Sequence, residues 1–180
     1  GSKSSINFGK YKNFLGSFYP PSKVLVDAHF LETLSSDEIK SGIGEILHFY
    51  LVAGEDKRAR LMMSRYGHLL KKPKDLKPFI LASLKIKRAV IERDELDKGE
   101  RNLFNYGHTF GHALESLTNY KLCHGQAVTI GMDISNYLSC KLGYISQDKY
   151  LEMRDILIKN WPAYDFKHFN LKFFLKNLSK

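Results

Sequence analysis

Asn105-Tyr106-Gly107-His108-Thr109-Phe110-Gly111-His112-Ala113-Leu114-Glu115 is the stretch on which the reading of this chain turns. It places two imidazoles four residues apart, and on a helix residues at that spacing share one face. A glycine stands directly before each histidine. Without side chains there, neighbouring helices can pack closely or a ligand can approach the backbone.

Working outward, His124 follows twelve residues after His112, in Cys123-His124-Gly125-Gln126 at the start of the next expected helix. Upstream, Gly44-Glu45-Ile46-Leu47-His48 puts a carboxylate and an imidazole at i and i+3. Glutamate and histidine with one open coordination position make a catalytic zinc site, since imidazole nitrogen and carboxylate oxygen both suit that ion. A single histidine is more often a satisfied core or cap residue. Three of them at glycine-marked helix starts favour a metal site, and spacing alone carries the reading no further.

The flanking sequence reads as helical. Ser35-Ser36-Asp37-Glu38 is a helix start, with a serine cap and an acidic first turn. That helix is expected to run to about Ala53, where Gly54 ends it. Further helices are expected over 55–70, 75–91, 103–117, 124–142, 147–160 and 171–178, with apolar residues recurring at near-helical spacing in the third of these seven. Residues 94–102 read as a charged loop. Residues 1–22, rich in Gly, Ser, Asn and Pro, also read as loop. Lys23-Val24-Leu25-Val26-Asp27 reads as one short buried strand. The expected fold class is mainly α, with a short strand near the start.

Bulk composition fits one soluble globular domain. The chain has 180 residues, 43% of them hydrophobic and 26% charged. No run approaches the roughly 18 consecutive apolar residues that a membrane helix needs. Two cysteines, Cys123 and Cys140, are too few for a disulfide framework and lack metal-thiolate spacing. A reduced, cytoplasmic protein is the expectation. The net charge of +9 suits a solvated basic surface or a small anionic substrate. Nucleic acid is disfavoured, because the basic residues are not interleaved with aromatics on a single stripe.

Longer motifs then point to a family. Lys87-Arg88-Ala89-Val90-Ile91, Asp94-Glu95, Gly99, Arg101 and the 105–115 stretch resemble the signature of 3-dehydroquinate synthase, a member of the sugar phosphate cyclase superfamily. His124-Gly125-Gln126-Ala127-Val128-Thr129-Ile130-Gly131-Met132 resembles that family's second metal motif, and Gly42-Ile43-Gly44-Glu45 its first metal-ligand helix. Lys3-Ser4-Ser5-Ile6-Asn7 and Lys12 to Pro20 resemble its substrate-binding loop. The resemblance runs in order from residue 1 to about 145.

What the resemblance implies is specific. Residues 23–180 would form the carboxy-terminal helical metal- and substrate-binding domain. Residues 1–22 would be a substrate-binding segment continuing from an NAD-binding domain. Glu45, His108 and His124 would be the ligands of Zn2+ or Co2+. Lys3 and Asn13 would hold the substrate phosphate, with Asn105 near the same substrate. Lys87 and Arg101 would face its carboxylate end, and His112 would stand near the phosphate and the reacting carbons. The reaction implied converts a seven-carbon keto-acid sugar phosphate, with tightly bound NAD, into a carbocycle plus phosphate, usually in a homodimer.

The sequence departs from the family pattern in three respects. It holds no strand–turn–helix with a glycine-rich nucleotide turn, so it reads as a stretch of a longer protein and alone is expected not to turn over. A further basic substrate residue of the family falls beyond residue 180. His48 stands where the family has lysine, a titrating group in place of a fixed charge, and Gln126 stands where a glutamate is usual. On a helix Glu45 and His48 share a face, so His48 could itself approach the metal. A cyclase acting on another sugar phosphate, a metal-dependent alcohol or glycerol dehydrogenase, and a non-catalytic zinc-binding helical module are the competing readings. The dehydrogenases lack the Lys87, Arg101, Asn105 series.

Overall fold

The computed structural model describes residues 3–9, 11–19, 21–95, 98–167 and 169–178, with side chains for all of these except 3, 4, 7, 11–13 and 18. The chain is mainly helical, as expected. Helix α1 (Ser36–Val52) starts in a capping box: Ser35 Oγ accepts from Glu38 N, and Glu38 Oε2 accepts from Ser35 N at 2.7 Å. It stops at Gly54, whose φ of +70° is left-handed. Ile39, Ile43, Ile46, Leu47 and Tyr50 recur along one face of α1 and are buried. Burial of each such side chain contributes about 1.5–3 kcal/mol.

The rest of the chain follows as α2 (Asp56–Ser64), α3 (Tyr66–Lys71), α4 (Lys77–Arg93), α5 (His108–Leu117), α6 (His124–Lys141), α7 (Gln147–Leu157) and α8 (Leu171–Leu178). Helix α6 is the centre of the bundle and packs against α5, α1 and α7. Val128 and Met132 on α6 join the core built by α1, α2, α3, α4 and α7. Ala127 and Ile130 join a second core with α5 and α8. No described helix is long and apolar enough to cross a membrane. Cys123 and Cys140 are both free.

Several expectations are corrected. Residues 1–22 were expected as loop, but most of that stretch forms an antiparallel hairpin, β1 (Lys3–Phe8) and β2 (Tyr11–Phe18). Its register pairs Ser5 with Gly16 and Ile6 with Leu15. Apolar and polar residues alternate in Ser5-Ile6-Asn7-Phe8, a period-two pattern that the abundance of small polar residues obscures. The strand expected over 23–27 is absent: Val24, Leu25 and Val26 are all more than half exposed and belong to no ladder. A β-branched run becomes a strand only where another strand pairs with it.

The helix expected over 55–70 breaks at Arg65 into α2 and α3. The helix expected over 103–117 is a 3-10 turn (Glu100–Asn105) followed by α5, because Gly107 sits at φ +76° and interrupts the helix.

Candidate metal centre

The glycines set the geometry. A Cβ on Gly44 would lie 2.1 Å from Gly125 O, and one on Gly125 would lie 1.8 Å from Ser41 O. Helices α1 and α6 therefore touch backbone to backbone, and Gly125 N donates to Ser41 Oγ across the contact at 2.9 Å. The residues following Gly44 and preceding Gly125 are Glu45 and His124. On the other side of α6, a Cβ on Gly131 would lie 2.0 Å from Gly107 O. That contact fixes where α5 begins, at His108.

Three ligand-type atoms converge. His124 Nε2 lies 3.2 Å from Glu45 Oε1, and His108 Nε2 lies 3.6 Å from the same oxygen. Glu45 Oε1 is nevertheless buried without a hydrogen-bond partner, so the atoms face a common point rather than one another. Tetrahedral zinc with bonds of about 2.0–2.1 Å holds adjacent ligand atoms about 3.3 Å apart. Both the distances and the donor set fit such an ion. Among the described residues only one other group has its ligand atoms as close, His112, Glu115 and His124. His48 belongs to neither.

Each imidazole is held from behind. His108 Nδ1 faces Tyr106 O at 3.2 Å, and His124 Nδ1 faces Glu115 Oε2 at 3.2 Å. The same carboxylate oxygen meets His112 Nδ1 at 2.7 Å. Hydrogen bonding to Glu115, and then the facing Glu45 carboxylate, raise His124 to about 9. Burial would raise Glu45, but the facing His108 and His124 imidazoles outweigh it and hold the carboxyl well below the usual range. Burial pushes His48 down to about 4, with repulsion from His108 adding to it.

Beside the convergence point lies a pocket of about 240 Å³ lined by Glu45, His48, Phe49, Lys87, Arg101, Phe104, Asn105 and His108. The structure thus brings Lys87, Arg101, Asn105 and His48 to one cavity against the Glu–His pair. Lys87 Nζ sits 5.4 Å from the centroid of the Phe49 ring. Arg101 is placed by a turn around Asp94, whose carboxylate accepts from the backbone N–H of Lys98, Gly99 and Arg101 at 2.8–2.9 Å. The Arg101 guanidinium also donates to Glu95 O at 2.8 Å.

His48 is 1% exposed, and neither ring nitrogen has a partner. Its ring packs edge-on against His108, with centroids 4.8 Å apart. His112 is half exposed and stacks on His124 next to the cavity. Lys3 and Asn13 lie on the hairpin strands, but their side chains fall outside the described ones. Gln126 lines no part of the centre: it is buried and donates to Asn160 O at 3.2 Å, tying α6 to the segment after α7.

Sequence reasoning missed the parts played by Glu115 and Asp94. For Glu115 the only signal was its place three residues after His112. For Asp94 it was an acidic residue just before a glycine turn.

A helical domain carrying this centre has the dehydroquinate synthase-like architecture of the sugar phosphate cyclases. Among solved structures, 2-epi-5-epi-valiolone synthase from Streptomyces hygroscopicus subsp. jinggangensis, described with NAD+ and Zn2+ bound, superimposes with TM-score 0.82 at 24% identity over 99% of this chain and 50% of that one. A 2-deoxy-scyllo-inosose synthase complexed with carbaglucose-6-phosphate, NAD+ and Co2+ gives 0.80 at 22% identity, over 99% and 49%. The chain belongs to the 3-dehydroquinate synthase family: the sequence model of the family's C-terminal domain matches residues 42–180, and that of its N-terminal domain matches residues 1–41.

Curated 3-dehydroquinate synthases agree. That of Campylobacter concisus is 37% identical over 160 residues, 88% of this chain and 45% of the relative. That of Nitratiruptor is 38% identical over 158 residues, 87% and 44%. The chain therefore spans a little under half the length of these relatives.

Proposed function

We propose that this chain supplies the metal- and substrate-binding half of a cytoplasmic 3-dehydroquinate synthase, which converts 3-deoxy-arabino-heptulosonate 7-phosphate to 3-dehydroquinate and phosphate on the shikimate route to aromatic amino acids. The observation that carries the proposal is the convergence of Glu45, His108 and His124 on one point beside a cavity that also holds Lys87, Arg101 and Asn105. Glu45, His108 and His124 would hold Zn2+ or Co2+, and NAD would be bound mainly by residues outside this chain, in a homodimer. When bound, the metal polarises a hydroxyl and its derived ketone, and NAD carries the reversible hydride chemistry.

The chain's own residues then bind and orient. Lys87 and Arg101 place two cations in one small cavity, a match for a substrate carboxylate, and Arg101 can grip it with a bidentate fork. Asn105 adds neutral hydrogen bonding in the same wall. His112 is anchored at Nδ1 by Glu115, which leaves Nε2 free to exchange a proton with the substrate near its phosphate. Lys3 and Asn13 would close on that phosphate from residues 1–22. The buried ring of His48 would back the His108 ring beside the cavity.

A protein expressed from the whole coding sequence, supplied with NAD and the heptulosonate phosphate, is expected to release phosphate with no net NADH and to stop when a chelator is added. Absence of phosphate release from a zinc- and NAD-loaded protein would rule out that substrate. One observation favours a second reading, a related cyclase with another sugar phosphate: the cavity wall carries His48 where the family has a fixed positive charge. Phosphate release from a different sugar phosphate, with none from the heptulosonate, would select it.

A further inference from the structure

We infer that Glu115 is the residue that orients His124 for metal binding, through the ring nitrogen opposite the one that faces Glu45. This rests on the reading of Glu45, His108 and His124 as the metal ligands. An imidazole can present either nitrogen to an ion, and which one it presents is set by the bond made by the other. For His108 that bond goes to a main-chain carbonyl, Tyr106 O, which no substitution removes. For His124 it goes to a side chain, the Glu115 carboxylate at 3.2 Å. Only one of the two imidazoles therefore depends on a replaceable group.

Glu115 is built for this task. Its side chain is 7% exposed, an unusual position for a carboxylate, and is compensated by two imidazoles on one oxygen. Its own backbone is tied down as well: Glu115 O accepts from Tyr120 N at 2.8 Å and from Thr118 Oγ1 at 3.1 Å, at the C-terminal turn of α5. The carboxylate is thus held on α5 while it reaches across to the first residue of α6. With Nδ1 held there, His124 Nε2 is left 3.2 Å from Glu45 Oε1, the spacing at which a tetrahedral ion fits. Without the carboxylate, the His124 ring loses its fixed tautomer and its rotation is no longer defined by a partner on α5.

The test is metal affinity and ring protonation rather than turnover. Zn2+ affinity of the metal-stripped protein would be measured by competition with a fluorescent chelator, for wild type, Glu115→Ala and Glu115→Gln. Glu115→Ala is expected to weaken binding by about 10- to 100-fold. Glu115→Gln keeps a carbonyl oxygen for the Nδ1 hydrogen and is expected to recover part of the loss. Wild-type affinity in a folded Glu115→Ala protein would overturn the inference. Should that variant not fold, the ring ¹⁵N spectrum of zinc-loaded wild type decides the matter: His124 protonated on Nδ1 and ligating through Nε2 supports the inference, and ligation through Nδ1 overturns it. A wild-type protein that binds no Zn2+ would refute the metal centre itself, an outcome distinct from equal binding in wild type and variant.

Discussion

The crossing of α1, α5 and α6 and the hairpin β1–β2 sit in one chain but are organised by opposite means. At the crossing, backbones touch through Gly44, Gly125, Gly107 and Gly131, and every residue from Gly125 to Asp133 is buried. In the hairpin, the described side chains of Ile6, Phe8, Phe14 and Leu15 are all at least 45% exposed, and the Phe8 and Phe14 rings stack on each other. A two-stranded hairpin of this kind is marginal by itself. The lesson is where rigidity has been placed. Glu45, His108 and His124 ride on contacts that leave no room for a methyl group, while Lys3 and Asn13 ride on a two-stranded ribbon whose described apolar side chains are exposed.

The largest effect is expected at Gly125. Gly125→Ala puts a Cβ inside van der Waals contact with a backbone carbonyl, and forcing such a clash costs about 3 kcal/mol. Because α6 must move away from α1, Zn2+ affinity is expected to collapse along with the urea midpoint. A variant that keeps both would show that the crossing does not position the site. Next in size is Arg101→Ala, expected to lower kcat/KM of the full-length enzyme by about 10- to 100-fold, the loss of a charge-assisted bond. Its stability should stay within about 0.5 kcal/mol of wild type.

A pH series sharpens the same contrast. In the metal-free protein His124 is raised to about 9, first by Glu115 and then by Glu45. Its unfolded value is near 6.5, so the protonated ring adds stability that is fully present below that pH. The contribution fades as pH rises toward 9. Zinc needs the deprotonated ring and so should follow the opposite course, its affinity climbing over the same window with proton release. Isothermal titration in buffers of different ionisation enthalpy measures that release, and none at pH 7 would contradict the assignment. The smallest effect is expected at Phe8→Ser on the hairpin, within about 0.5 kcal/mol in chemical denaturation.

Much of the centre was legible in the sequence because its signals are local. The Ser35 cap, the Gly54 stop and the glycine beside each metal-facing histidine, Gly107 before His108 and Gly125 after His124, are written in adjacent residues, and the structure places each as expected. Lys87 and Arg101 read on their own as solvated surface charges, and only the family resemblance singled them out. What brings them together is the Asp94 turn, a set of bonds spanning seven residues that no periodicity reports. The hairpin was missed because small polar residues outweighed its alternation. The apolar run at 24–26 was misread because a strand depends on a neighbour elsewhere in the chain. Glu115 reaches His124 across nine residues and two helices, a relation set by packing alone.

Anomalous diffraction at the zinc edge from zinc-loaded crystals tests directly whether Glu45, His108 and His124 share one ion. The expected result is a single strong peak per chain, about 2.0–2.2 Å from a Glu45 carboxylate oxygen and from Nε2 of His108 and His124. A peak seated instead among His112, Glu115 and His124, or one ligated by His48, would contradict it.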